Sequence, residues 1–183
     1  MSEEMVIKHC SPTLAGLKTG SMFTCECGAG DMLEREIEAL NSKLSDKGIR
    51  AMILRKRDGR ALIYVYREAM LKKALENRET AEFLKTCGYG GLNVEKAVAR
   101  LKERLAQSDG FPHEIGVFLG YPLGDVIGFI ENGGKNCKCV GCWKVYCNEC
   151  EAKKTFEKFK KCTGIYRRLY ETGKSVLQLT VAV

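Results

Sequence analysis

Two β-rich runs joined by Asp58-Gly59 constrain this chain more than any other feature. Ile49–Arg57 and Arg60–Arg67 are dense in β-formers, and Asp-Gly suits the two positive-φ positions of a type I′ turn. A two-residue loop also sets the register, so Leu54 is expected opposite Ile63, and Ile53 opposite Tyr64. Both faces of the hairpin then carry apolar side chains. It is therefore expected inside a larger sheet.

Helical patterns surround it. Leu33, Ile37, Leu40 and Leu44 recur at helical spacing after Asp31 and close near Gly48. Further helices are expected over Glu68–Leu75, Glu79–Thr86 and Val94–Leu105, with breaks at Gly88-Tyr-Gly-Gly91 and Ser108-Asp-Gly110. Pro112 and Pro122 each precede a short helix, Glu114–Leu119 and Leu123–Ile130, before Gly133-Gly134. Near the start, the pattern predicts a short strand at Met5–Lys8 and a helix capped by Ser11 that runs to Lys18. Ser21–Cys25 is expected to be extended, and Gly28-Ala-Gly30 to break the chain. Cys137–Tyr146 is expected as a strand kinked at Gly141. Asn148 and Glu151 offer a capping box for a helix running to about Glu171. The tail Ser175–Val183 reads as a last strand. Interspersed strands and helices without a βαβ rhythm predict one α+β domain over residues 1–183. Its sheet, mixed or antiparallel, centres on the 49–67 hairpin packed by amphipathic helices, and a cysteine-rich strand–helix segment spans 136–171.

The chain carries ten cysteines, six of them at Cys137, Cys139, Cys142, Cys147, Cys150 and Cys162. A chain of 183 residues can bury a full core, so disulfides are not needed for folding. The N-terminal residues hold two acids and no apolar run, and nothing approaches the roughly 20 apolar residues of a membrane span. A reducing cytoplasm is therefore the expected location. There, clustered cysteines bind metal or do redox chemistry more often than they form bridges. The net charge of +7 gives a weak preference for anionic partners.

Cys139-x2-Cys142 and Cys147-x2-Cys150 are two chelating pairs, and four thiolates suit zinc, although the spacer Trp143-Lys-Val-Tyr146 is short for a zinc ribbon. Cys142-x4-Cys147-x2-Cys150 also has plant-type [2Fe–2S] spacing, with Cys162 or Cys139 as a distant fourth ligand. Against both stands the frequency with which free cysteine is simply buried. A second candidate is Cys10, placed by this reading just before a helix N-terminus. As a nucleophile it would need a base, for which His113 is the candidate, oriented by Glu114 or Asp125. Lys153, Lys154, Lys158, Lys160, Lys161, Arg167 and Arg168 form a basic stripe on the last long helix. No recognition motif accompanies the stripe, so nucleic acid is not the expected partner. A third reading is thus an interaction module with structural thiols and a basic helix.

Four blocks, His9–Lys18, Ala61–Tyr66, Phe111–Pro122 and Cys137–Tyr146, resemble an uncharacterised bacterial family, the domain of unknown function DUF 3793. The resemblance covers essentially the whole chain and carries no activity, cofactor or substrate with it. It implies that a family site would draw on Cys10, Cys139, Cys142, Cys162 and His113, while Cys147 and Cys150 depart from the pattern.

Overall fold

The Asp58-Gly59 turn forms with both residues at positive φ, 52° and 70°, as a type I′ turn requires. In the computed structural model, which describes residues 1–28, 30–91, 93–107 and 110–182, helix α1 (Glu3–Leu14) leads into strand β1 (Gly20–Glu26). Helix α2 (Met32–Leu44) and a 3-10 turn (Ser45–Lys47) precede the hairpin strands β2 (Ile49–Arg57) and β3 (Arg60–Arg67). Helices α3 (Glu68–Glu76), α4 (Arg78–Thr86), α5 (Val94–Gln107), α6 (Ile115–Phe118) and α7 (Leu123–Glu131) follow. A small hairpin of β4 (Cys139–Val140) and β5 (Lys144–Val145) then precedes the long α8 (Glu149–Glu171) and the short α9 (Val176–Leu179). Ala29, Ser108 and Asp109, expected in breaks, and Val183 of the tail lie outside the described residues.

This is a single α+β domain built on an antiparallel sheet of order β1-β3-β2. Strand β3 lies in the middle and is buried from Ala61 to Arg67, so helices must cover both faces. On one face Phe23, Cys25, Ala51, Ile63 and Val65 pack with α1, α2 and α9. On the other, Leu54, Leu62, Tyr64 and Tyr66 pack with α3 to α7. Among the described residues, no helix is long and apolar enough to cross a membrane.

Four local expectations change. Near the turn the hairpin keeps its expected register, but the pairing shifts by one residue between Ile53 and Arg55, so Ile53 faces Ile63 and Met52 faces Tyr64. Leu54 is the extra residue of a bulge, and it reaches the second core 1% exposed. At the start, α1 replaces the expected strand and short helix. Ser2, not Ser11, is its N-cap, and Pro12 lies inside it. Burial explains this, because Val6, Ile7, Cys10, Thr13 and Leu14 form one apolar stripe only if the helix begins early. The cysteine segment does not run on as one kinked strand. It turns back at Gly141, pairing Cys139 with Val145 and Val140 with Lys144. The tail forms α9 instead of a strand, fixed by a reciprocal capping box between Ser175 and Gln178.

One buried cation ties these pieces together. Arg67, 2% exposed, donates to the carbonyls of Thr13 (2.6 Å), Leu14 (2.5 Å), Lys47 (3.2 Å) and Val181 (2.7 Å). The planar guanidinium thereby terminates α1, the 3-10 turn and the C-terminal segment at once.

Candidate functional site: the cysteine hairpin and its aromatic frame

Helix α7 is the platform on which the hairpin is built. Its Asp125, 3% exposed, accepts from Trp143 Nε1 (2.7 Å) with one oxygen, and from the backbone N–H groups of Tyr146 (2.7 Å) and Cys147 (2.8 Å) with the other. A buried carboxylate needs such donors to be tolerated. Two glycines on the same helix face, Gly124 and Gly128, make room for the hairpin. A Cβ at Gly128 would sit 2.6 Å from Tyr146 Cβ, and one at Gly124 would collide with Cys147 Sγ. The i, i+4 spacing of these glycines is itself a sequence signal for such close approach.

An aromatic column carries the hairpin across to α8 and to the loop between α1 and β1. Tyr121 stacks on Trp143 (centroids 4.9 Å, 28°), and Phe156 of α8 meets Trp143 edge-on (4.5 Å, 79°). A Cβ at Gly141 would collide with the Phe156 ring, so the turn residue must be this small. The Tyr121 hydroxyl donates to the Cys142 carbonyl at 3.2 Å. The half-buried Lys18 ammonium lies 5.5 Å from the Tyr121 ring centroid. Burial lowers the Lys18 pKa, opposed by the neighbouring Cys142 and Cys10 thiols. Desolvation of its sulfur raises Cys142 although the residue as a whole is exposed, with Lys18 pulling the other way, and burial pushes Tyr121 up to about 12.

The ten cysteines are all free and sort by depth. Cys10, Cys25 and Cys162 are buried, Cys27, Cys87, Cys137 and Cys139 are half-buried, and Cys142, Cys147 and Cys150 are exposed. Lys18 brings Cys10 and Cys142 into one neighbourhood, while Lys153 lies near both Cys139 and Cys150 on the α8 side. Cys162 lies three turns further along α8, about 18 Å from Cys150 at the helical rise. Its burial pushes the thiol up to about 11. Among the described residues, no group of three or more histidine, cysteine or acidic side chains converges as a metal would require. The set Cys10, Cys139, Cys142 and Cys162 is thus divided between the two sides of the hairpin and the α8 core.

Cys10 occupies the interior of α1, not the residue before a helix, and is 0% exposed among Val6, Ile7 and Leu14. With no water to solvate a thiolate, burial raises its pKa. His113 is exposed and tilts against Phe129 (5.1 Å, 59°) on the opposite side of the sheet. Glu114 is held by Tyr89 (3.1 Å) and Arg104, and Asp125 by the hairpin. Among the described residues neither carboxylate bonds to the His113 ring; each is taken up by other hydrogen-bond partners. The α8 cations Lys158, Lys160, Lys161, Arg167 and Arg168 are exposed as expected.

A family profile matches residues 6–180, and the chain belongs to the family described as Protein of unknown function (DUF3793). No curated protein and no solved structure is found to match it.

Proposed function

We propose that the protein is a cytoplasmic thiol–disulfide redox module acting through Cys147 and Cys150, the pair that flanks the N-cap Asn148 of α8. One observation carries the reading: three free cysteines, Cys142, Cys147 and Cys150, lie exposed within nine residues of chain. Free cysteine is among the residue types most often fully buried, so filler accounts for Cys10, Cys25 and Cys162 but not for these. A two-residue gap across the head of a helix lets both sulfurs meet in a tight turn. The chemistry needs a disulfide-containing partner as oxidant. One thiolate attacks a partner sulfur and releases the other as a thiol. The second cysteine then attacks the mixed disulfide, closing the Cys147–Cys150 bond. Two electrons and two protons pass to the partner, which leaves as two thiols. A reducing cytoplasm resets the pair. The exposed α8 cations favour an acidic partner surface.

The test is to equilibrate reduced protein in glutathione buffers spanning the cytosolic range, alkylate it, and map the peptides by mass. Expected is an intramolecular Cys147–Cys150 disulfide whose fraction follows the buffer, with Cys142 alkylated alongside the reduced pair and Cys10, Cys25 and Cys162 labelled only after denaturation. Separate glutathione adducts on Cys147 and Cys150 at every ratio would overturn the reading. Stoichiometric zinc or iron in anaerobically purified protein would replace it with a metal site on the same thiols.

A further inference from the structure

Between α6, α7 and β5 lies a cavity of about 220 Å³, lined by Phe111, His113, Tyr121, Phe129, Trp143 and Lys144. Ile115, Gly116 and Val126 also line it, so nearly all of its wall is hydrocarbon or ring. A dry cavity of roughly 150 Å³ is enough to take up benzene. This one therefore admits a single aromatic ring with a short substituent. The frame is held open, because Tyr121 and Trp143 are fixed in the aromatic column and Asp125 locks the Trp143 indole N–H at 2.7 Å. Both Asp125 oxygens are engaged by three N–H groups, which leaves the carboxylate little capacity to recognise a ligand.

Lys144 is different. Its Nζ donates to the Gly134 carbonyl at 2.7 Å and sits 5.7 Å from the Phe129 centroid. An ammonium has three donors, so two remain for an acceptor at the pocket. An aromatic box without a cation would attract positive ligands, but here the cation is already supplied by the protein.

We propose that this cavity is a binding site for a small aromatic carboxylate, with the ring seated against Phe129 and Trp143 and the carboxylate on Lys144. Among the described residues no cysteine lines the cavity, so the site draws on none of the sulfurs of the exposed dithiol.

Trp143 is the chain's one tryptophan, so its emission reports occupancy directly. Titration with phenylacetate, which does not emit in that window, is expected to give a saturable change with a Kd on the order of 0.1–1 mM, consistent with a ten-atom ligand. Phenylacetamide binds roughly 5–10-fold more weakly, the discount for losing a charge-assisted bond. Acetate and benzylamine give no saturation. In Lys144→Met the preference for phenylacetate over phenylacetamide disappears while phenylacetamide still binds, which separates loss of the charge from loss of the fold. The Trp143 indole N–H resonance, followed by NMR in the same titrations, covers a bound state with unchanged emission. The near-isosteric Cys147→Ser/Cys150→Ser protein binds phenylacetate equally well, so failure of the redox reading leaves this result intact. A purely linear quench, equal binding of benzylamine, or an unmoved indole resonance at about ten times the expected Kd would overturn the proposal.

Discussion

Replacing Asp125 by alanine removes the anchor between α7 and the cysteine hairpin. Three N–H groups at 2.7, 2.7 and 2.8 Å lose a charged acceptor that is 3% exposed. Hydrogen bonds to charged groups are worth about 1.5–3 kcal/mol each, so a simple sum would reach roughly 4.5–9 kcal/mol. The sum is an upper bound. The N–H groups of Tyr146 and Cys147 are only part-buried and regain water, whereas the Trp143 indole N–H is buried and does not. A loss of about 3–5 kcal/mol follows. Trp143, Val145, Ala152 and Phe159 form a cluster distinct from the two cores against the sheet, so the loss falls first on the hairpin. Urea unfolding read by Trp143 emission and by far-UV circular dichroism separates the two. In the wild type the transitions nearly coincide. In Asp125→Ala the emission midpoint moves to lower urea by about 1.5–2.5 M at a slope near 2 kcal/mol/M, ahead of the dichroism. Asp125→Asn, which keeps one acceptor oxygen, falls between. A loss below about 1 kcal/mol in Asp125→Ala would refute the view that this carboxylate holds the hairpin in place.

Two further outcomes test the frame. Arg67→Met strands four carbonyls at the junction of α1, the 3-10 turn and the tail, and is expected to cost about 3–5 kcal/mol in urea unfolding. Arg67→Lys recovers only part of this, because an ammonium cannot fork to separated acceptors. At alkaline pH, the Cys162 thiol titrates near 9.0 when unfolded and is pushed up to about 11 by burial. Between those values the unfolded chain has lost a proton that the native state keeps, so stability is complete below about pH 9 and falls as pH rises toward 11. Urea midpoints at pH 8 and 10 under reducing conditions are expected to drop less in Cys162→Ala than in the wild type. An equal drop would place the alkaline sensitivity elsewhere.

Regular elements were legible wherever local pattern and tertiary burial agree. The stripe of α2 is the case in point: Leu33, Ile37, Leu40 and Leu44 are all buried. Where local signals compete, burial chose between them. Ser11-Pro12 has the chemistry of a helix start, yet Ser2 caps the helix because the stripe from Val6 to Leu14 is covered only in that frame. Leu54 could not be recognised as a bulge from alternation, since both faces of β2 meet hydrocarbon. Of the candidate site residues, Cys139, Cys142 and His113 lie at the hairpin or the adjoining cavity, whereas Cys10 and Cys162 are interior. Asp125 appeared only as a possible partner of His113. Its actual contacts, with Trp143, Tyr146 and Cys147, come from 18 to 22 residues away.

By itself the sequence determined the fold class, the Asp58-Gly59 hairpin and most helix positions, because turn chemistry and periodicity act between residues near in chain. Only the tertiary structure decided which of the thiols meet solvent, that Lys18 feels the charge of both Cys142 and Cys10, and that Phe111, Phe129 and Trp143 line one cavity. Exposure and enclosure are properties of surfaces brought together from distant segments. No local pattern encodes them, because the free energy that sets them is the burial of one element's face against another's.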